Sequence, residues 1–477
     1  MTNKKIYILG ALFLIVASIF SSGYHQTDEH FQIFEFAGLK LGLTEAQNLP
    51  WEYHSEMRPA IQPAMVYTAY NLFDLFGINN PFTIAAFLRM LAALLSFISI
   101  YLLYSAYKSE FKDKIDHKWF LLLSFFTWFA LYNNVRFSSE NLSGTVFIIG
   151  FAFYLIKQNP KKLHFLLLGS LLGLSFLFRY QVGFLIAGMF LWILIIKKEK
   201  ILNLLILSSG IMILIGFGVL LDRWFYNEWT FTIWNYLDQN ILMDQSSRFG
   251  TSPWWDYFIT ALIKTIPPFS LVFIGSVFIV FLFKRKDLLT WTVLPFILIH
   301  FIIGHKELRF LFPIIGFLPI FIIKGIHIIQ EKWYPDILQY RIIRYFIKIF
   351  WGVNIILLLI VTFRPADYEV PLYEVVYNNY EQPITLHFIR DYPYHIQNMN
   401  FYKRPNLDVR RIMSISEVTF NDSGKCLFVT LKKYDAENSL YNAKLVYSTF
   451  PGWIKYFNFN NWMERTRIWH VYELSCE

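Results

Sequence analysis

Long apolar segments alternate with short polar connections along most of the 477 residues. A helix needs about 20 mainly apolar residues to cross the hydrocarbon core of a bilayer. Eleven segments approach this length, so the pattern predicts a polytopic α-helical membrane protein with about 11 transmembrane helices. They lie near residues 6–22, 82–107, 119–135, 141–157, 163–179, 183–197, 201–221, 257–283, 288–303, 308–328 and 345–362. The first is interpreted as an uncleaved span rather than as a signal peptide.

Lysine and arginine are concentrated in alternate connections between these segments. Such connections lie at residues 108–118, 157–162, 197–200, 284–286 and 332–348. The positive-inside rule places them in the cytoplasm together with the N-terminus. The net charge of +9 is therefore a topology signal, and nucleic-acid binding is not expected. The other connections, which include a large first outer loop at residues 23–81, are predicted to lie outside.

The composition is rich in Ile, Lys and Asn, which is typical of a low-GC bacterium. The predicted location is a bacterial inner (cell) membrane, with the active site facing the periplasm or the outside. The endoplasmic reticulum membrane is the alternative.

Hydropathy divides the chain after the last predicted span. Residues 1–362 are predicted to form the transmembrane catalytic domain, and residues 363–477 a small C-terminal non-cytoplasmic domain. Alternating hydrophobic positions, as in the run that starts at Cys426, predict an α/β or mostly β fold for this domain. Cys426 and Cys476 could pair in an oxidising compartment, which the sequence leaves open.

Acidic residues are packed into the start of the first outer loop. If Thr27 caps a helix, Asp28, Gln32 and Glu35 fall at i, i+4 and i+7 on one helical face. Glu29 points about 100° away from Asp28. One face with two carboxylates and an amide suits binding a polyhydroxyl group and removing a proton.

Two other interpretations of this stretch stay open. One is a solvated loop that keeps the N-terminal segment at the interface. The other is a zinc or manganese site made by His25, Asp28, Glu29 and His30, which are suitable ligand types. No second cluster has metal-ligand spacing, so we expect neither a metal nor another cofactor.

The outer connection at residues 222–256 combines aromatic and charged side chains. Asp222, Arg223 and Trp254 are candidate substrate-binding residues, because sugar sites use aromatic faces beside hydrogen-bonding groups. Anchoring of Trp and Tyr at the membrane interface is the alternative.

The turn that contains His305, Lys306 and Arg309 places cations between two predicted spans. Lysine and arginine are otherwise sparse on this side, and an arginine offers a bidentate fork to phosphate. We therefore predict that these three residues bind the phosphate of a lipid-linked donor. Arg58 and Arg179 could contribute similarly.

The polar clusters collect at one face of the predicted bundle, whereas the middles of the spans are apolar. A transporter would place polar groups near the midplane, on broken helices. An enzyme that acts on a lipid-linked substrate fits better. A transporter or flippase of lipid-linked sugars, and a ligase or polymerase of surface polysaccharide, remain as alternatives.

Five motifs occur in the order found in one known family. They are Asp28-Glu29-His30-Phe31-Gln32-Ile33-Phe34-Glu35, Trp51-Glu52-Tyr53 with Arg58-Pro59, Asp222-Arg223-Trp224-Phe225-Tyr226, Phe249-Gly250-Thr251 with Pro253-Trp254, and His305-Lys306-Glu307 with Arg309-Phe310. With them, the chain resembles glycosyltransferase family 22, the mannosyltransferases of the GT-C fold that depend on lipid phosphate mannose. Within the family it is most similar to the GPI mannosyltransferases and the enzymes that extend lipid-linked oligosaccharides.

The resemblance implies an inverting transfer of mannose from a polyprenyl- or dolichyl-phosphate donor to a glycan or glycolipid, giving an α-mannoside. It also implies that Asp28 is the general base. We expect Glu29 to orient the helix or a substrate hydroxyl. A lipid phosphate is a good leaving group, so a divalent metal is not expected.

Overall fold

The computed structural model describes residues 2–157, 159–389, 398–417, 425–431 and 443–475. The chain forms two compact units. The transmembrane unit contains Met1–Ser21, Trp51–Met65 and Ala86–Arg364, and the loop–tail unit contains Ser22–Pro50, Val66–Ala85 and Pro365–Glu477. Much of the first outer loop thus belongs to the same unit as the C-terminal tail, whereas hydropathy groups it with the transmembrane segments.

Helices make up most of the described chain. In chain order they are α1 Asn3–Phe20, α2 Thr27–Phe31, α3 Phe34–Lys40, α4 Trp51–His54, α5 Ile61–Asp74, α6 Pro81–Tyr107, α7 Lys114–Phe126, α8 Trp128–Asn134, α9 Ser139–Ile156, α10 Lys162–Phe178, α11 Gly183–Ile195, α12 Ile201–Tyr226, α13 Thr232–Leu237, α14 Asp256–Lys264, α15 Ser270–Phe283, α16 Leu288–Ile302, α17 Leu318–Lys332, α18 Arg341–Phe363, α19 Glu369–Asn379 and α20 Trp462–Arg465. Short 3-10 helices include Leu308–Phe317 and Asn400–Tyr402.

Within the described residues, 6 helical stretches are long and apolar enough to cross a membrane. They are α1, α6, α9, α12, Leu308–Lys332 and α18. Shorter apolar helices are α10, Tyr180–Ile195, α15 and α16. The multi-pass membrane character is confirmed, but the predicted number of 11 is not. The predicted span 257–283 is divided between α14 and α15 by a segment that contains Pro267 and Pro268, because proline removes a backbone donor. The start of the predicted span 308–328 is a 3-10 helix that contains Pro313.

The predicted span 119–135 is divided into α7 and α8 at Thr127, which has an extended backbone (φ −74°, ψ 128°). Asn354 of α18 supplies the partners that the break removes. Its Oδ1 accepts a hydrogen bond from Trp128 N (3.0 Å), and its Nδ2 donates to Phe126 O (2.6 Å). Inside a bilayer such backbone groups must be paired within the protein, so one asparagine makes this interruption tolerable.

The loop–tail unit contains a five-stranded mixed sheet with the order β2-β1-β3-β5-β4. The strands are β1 Ile384–Ile389, β2 Leu407–Ile412, β3 Lys425–Thr430, β4 Lys444–Ser448 and β5 His470–Ser475. β1 is parallel to β2 and β3, and β5 is antiparallel to β3 and β4. Cys426 is buried in β3, while Cys476 lies outside the described residues, together with the suggested pairing of the two.

Candidate active site

Asp28 and Glu29 lie in the first turn of α2, the five-residue helix Thr27–Phe31. Both side chains are half-buried. Carboxylates at this end of a helix are stabilised by the helix dipole. Thr27 is the first helical residue rather than the cap; Gln26 occupies the cap position without a side-chain hydrogen bond.

The single helical face expected for Asp28, Gln32 and Glu35 is wrong. α2 ends at Phe31, Gln32 is its C-cap, and Ile33 has a non-helical backbone (φ −120°, ψ −62°) before α3 begins. The separation of the two helices removes the i, i+7 relationship between the carboxylates.

Glu35 is buried within the loop–tail unit, with 0% of the residue exposed. Its Oε1 accepts hydrogen bonds from His30 Nε2 (2.7 Å) and Phe401 N (3.0 Å), and its Oε2 accepts one from Thr44 Oγ1 (2.5 Å). The carboxylate is thus used to hold protein groups, which differs from the substrate contact expected for it. The His30 nitrogen considered for a metal faces this carboxylate. Among the described residues, no group of three or more His, Cys, Asp or Glu side chains could hold a metal ion.

Two arginines meet at one carboxylate in the transmembrane unit. Arg179 follows α10, Glu140 lies in the first turn of α9, and Arg309 lies in the 3-10 helix Leu308–Phe317. Glu140 Oε1 is 2.8 Å from Arg179 Nη1 and 3.6 Å from Arg309 Nη1. Both guanidinium groups also lie near the ring of Phe310, at 5.2 and 5.4 Å from its centroid. All three charged side chains are at most 10% exposed, so the interactions are poorly screened.

Glu307 joins two of the predicted phosphate-binding residues. Arg309 donates to both of its carboxylate oxygens, from Nε (2.7 Å) and Nη2 (3.0 Å). His305 Nε2 lies 3.1 Å from Glu307 Oε1, and its Nδ1 lies 2.9 Å from Gly250 O. Lys306 instead donates to Ile303 O, and burial lowers the pKa of its ammonium. His305 and Arg309 are thus brought together, and Lys306 lies beside them in the chain.

Asp222 is buried, and its carboxylate is hydrogen-bonded to protein groups rather than open to a substrate. Its Oδ1 accepts from Ala60 N (2.8 Å) and its Oδ2 from Thr232 Oγ1 (2.6 Å), with 2% of the residue exposed. Thr232 is in turn hydrogen-bonded to Tyr180, the neighbour of Arg179 in the chain.

The other predicted substrate-binding residues of the transmembrane unit are more accessible. Arg58 lies 3.6 Å from Glu52 and over the ring of Tyr236, at 5.8 Å from its centroid. Arg223 lies over the exposed ring of Trp229. Trp254 is 56% exposed.

Glu140 is not among the residues that the sequence singles out. The available signal is an acid in the turn at residues 136–140, which the alternation of basic connections predicts to lie outside, beside the start of a predicted span. Its partners lie 39 and 169 positions further along the chain (179 − 140 and 309 − 140), so only the folded structure shows that they meet.

Comparison with known proteins shows the family to which most of the chain is similar. A model of the Alg9-like mannosyltransferase family matches residues 6–406. GPI alpha-1,2-mannosyltransferase 3 of Bos taurus is 28% identical over 334 residues, which cover 67% of this chain and 58% of that protein. Mannosyltransferase APTG1 of Arabidopsis thaliana is 25% identical over 326 residues, with coverages of 67% and 58%. The chain therefore spans less than two thirds of the length of these relatives.

A solved structure with the same fold is that of ArnT from Cupriavidus metallidurans, bound to undecaprenyl phosphate. The two chains superpose with a TM-score of 0.58 over 98% of this chain and 97% of that one, at 12% sequence identity. This likeness confirms the predicted GT-C type of membrane fold.

Proposed function

Because the chain belongs to the Alg9-like mannosyltransferase family, we propose that it transfers mannose from a polyprenyl- or dolichyl-phosphate-mannose donor to a glycan or glycolipid, giving an α-mannoside. The match over residues 6–406 confirms the resemblance to glycosyltransferase family 22. The observation that carries the proposal is the pair of arginines, Arg179 and Arg309, at Glu140.

The arginine pair suits the charge change in this reaction. A lipid phosphate sugar carries one negative charge at its phosphodiester, and the phosphate monoester that leaves carries about −1.5 to −2 at pH 7. Cationic hydrogen-bond donors that the protein holds in place interact more strongly with the phosphate in the transition state than in the bound substrate, because negative charge develops there. Glu140 holds the two guanidinium groups close together. His305 and Lys306 add to the same positive turn.

Asp28 acts as the general base in this proposal. The acceptor oxygen attacks the anomeric carbon as the bond from that carbon to the phosphate oxygen breaks, and the hydroxyl proton passes to Asp28. Attack opposite the leaving group inverts the configuration, which converts a β-linked donor into an α-mannoside. Glu29 orients the attacking hydroxyl, and the reaction needs no metal or other cofactor.

Arg58, Arg223 and Trp254 contact the sugar or the lipid in this proposal, as does Gln32. Asp222 and Glu35 act indirectly, because their carboxylates hold the surrounding chain. The carrier class is supported by the undecaprenyl phosphate in the ArnT structure, which is a polyprenyl phosphate. We place the reaction at the non-cytoplasmic face of a bacterial cell membrane, with the endoplasmic reticulum membrane as the alternative.

The decisive experiment is transfer by the purified protein in lipid nanodiscs, with polyprenyl-phosphate-mannose labelled in the sugar and a lipid extract as acceptor. We expect labelled mannose in a product that α-mannosidase cleaves. Movement of the intact donor across proteoliposomes without transfer would identify a flippase. Transfer from a diphosphate-linked donor alone would identify a ligase or polymerase.

A further inference from the structure

His30 is held in a stack of aromatic rings within the loop–tail unit. It is 1% exposed, and its ring is nearly parallel to that of Tyr402 (5.3 Å between centroids, 15°) and that of Phe34 (6.0 Å, 16°). Tyr24 lies at 5.9 Å with an interplanar angle of 29°. His30 is two positions after Asp28 in the same short helix. A five-residue helix is not stable alone, so contacts of this kind determine its orientation.

Glu35 connects the same helix to the C-terminal tail. It accepts from His30 on one side and from the backbone N of Phe401 on the other, across 366 positions of sequence. Burial of a carboxylate is unfavourable unless hydrogen bonds satisfy it, and three donors do so here. Thr44 supplies the third donor, and Gly38 makes room for it, since a Cβ at that position would lie 2.7 Å from Thr44 Oγ1.

A second connection holds the start of the loop. Tyr24 N donates to Asp367 Oδ2 (2.7 Å), and Ala366 N donates to Ser22 O (2.7 Å). Gly23 has φ +87°, and a Cβ there would lie 2.0 Å from Asp367 Oδ2. The loop is therefore attached to the tail before α2, at residues 22–24, and again through His30 in α2 and Glu35 after it.

We propose that the tail, through residues 366–367 and Asn400–Tyr402, positions the helix that carries Asp28, and that His30 and Glu35 are the positioning residues. The inference rests on the proposed role of Asp28 as the base. A general base works only within hydrogen-bond reach of its proton, and a misplacement of about 1 Å lowers rates by as much as about 100-fold. Loss of a positioning residue therefore lowers kcat and leaves the donor KM nearly unchanged.

The test compares Glu35→Gln and Thr44→Val with Thr44→Ser in the purified full-length protein. Glu35→Gln keeps the size but loses an acceptor, Thr44→Val keeps the shape but loses the hydroxyl, and Thr44→Ser keeps the hydroxyl. We expect kcat to fall about 10- to 100-fold for Glu35→Gln, less for Thr44→Val, and to remain near the parent value for Thr44→Ser. Glu45→Gln is the matched control, because Glu45 is an exposed carboxylate in the same loop.

The outcomes separate this inference from the proposed function. Parent-like kcat in both Glu35→Gln and Thr44→Val, while Asp28→Asn is inactive, overturns the positioning role alone. Activity of Asp28→Asn overturns the base assignment itself. If Glu35→Gln fails to fold, the Thr44→Val and Thr44→Ser pair decides the matter, since equal kcat for the two contradicts the proposal. A raised donor KM with normal kcat also contradicts it.

Discussion

Arg179 and Arg309 direct their guanidinium groups at the same carboxylate oxygen, Oε1 of Glu140, at 2.8 and 3.6 Å. Two cations so close together repel each other, and solvent screens them little because both side chains are 10% exposed. Glu140 compensates part of this charge, and Glu307 compensates Arg309 from another side. The two carboxylates balance the two guanidinium charges, and Lys306, which lies beside them in the chain, adds a third cation; we therefore assign the donor phosphate to this cluster.

Removal of either arginine tests this assignment. We expect Arg179→Ala and Arg309→Ala to lower kcat/KM for the donor about 100-fold or more, the range for the loss of one fixed donor to a developing anion. The lysine variants should recover only part of this, because an ammonium lacks the planar fork. Steady-state kinetics with a titrated donor measures the effect. Arg285→Ala is the control, since Arg285 is an exposed arginine in a basic connection; parent-like kinetics in both alanine variants would falsify the assignment.

Glu140→Gln tests the shared carboxylate. Glutamine keeps the size and one acceptor oxygen but removes the charge that holds the two guanidinium groups together. Breaking a buried ion pair typically costs about 3–5 kcal/mol, because it leaves a buried charge uncompensated. We therefore expect a clearly lower Tm in the absence of donor, measured by fluorescence of the protein in detergent.

Added polyprenyl phosphate should raise the Tm of Glu140→Gln more than that of the parent, because ligand binding stabilises the folded state and replaces the missing negative charge. Glu331→Gln is the control. It removes a carboxylate that pairs with Lys112 at 2.7 Å on the surface, where both side chains are about half exposed and the pair is worth little. Equal stabilisation of parent and Glu140→Gln by the lipid argues against a phosphate site here.

The sequence predicts the membrane fold well because lipid-facing helices must be apolar over their whole length. Interruptions of a helix depend on tertiary partners. The break at Thr127 is tolerated because Asn354, 227 positions later (354 − 127), forms hydrogen bonds with the backbone groups on both sides of it. Local pattern alone therefore overestimates the continuity of helices.

The candidate site is predictable where its residues are close in the chain. His305 and Arg309 lie in one turn. The sequence alone shows that this turn is separate from the basic connections, which alternate with it along the chain. Glu35 is a residue type that suits a substrate contact. Its carboxylate is instead hydrogen-bonded to the backbone N of Phe401, which lies 366 positions later. Whether a carboxylate faces substrate or protein is decided by packing that no local pattern encodes.

Lys403, next to the tail segment Asn400–Tyr402, gives a pH test of the loop–tail unit. Burial lowers the pKa of its ammonium to about 8 from the usual 10.5, an effect that Glu35 opposes. Between these two values the unfolded chain binds more protons than the folded one, so this residue makes stability rise as the pH rises from about 8 towards 10.5. At neutral pH its charged form is destabilising.

We expect Lys403→Met to raise the Tm at pH 7 and to abolish the part of the pH dependence that the residue contributes. The measurement is the difference in Tm between variant and parent from pH 7 to pH 9.5, which should shrink as the pH rises. Lys455→Met provides the comparison, since Lys455 is exposed. A difference that is constant with pH would show that Lys403 does not titrate in this range.

Asp28 is the residue on which the proposed chemistry depends. It lies in the first turn of α2, and we propose it as the base because the motif that starts at this position resembles that of the family. Asp28→Asn keeps the size and the hydrogen bonding but removes the basic oxygen. We expect kcat to fall about 10²- to 10⁴-fold, the usual contribution of a general base, while protein level and donor binding remain near those of the parent.

Glu29→Gln is the matched variant, because Glu29 is the neighbouring carboxylate in the same helical turn and is equally half-buried. About 100° of helical rotation separates the two side chains, so one position cannot replace the other without movement of the backbone. We therefore expect a milder loss in Glu29→Gln than in Asp28→Asn when turnover is measured side by side under saturating donor. An inactive Glu29→Gln with an active Asp28→Asn would exchange the two roles, and full activity in both would remove α2 from the catalytic machinery.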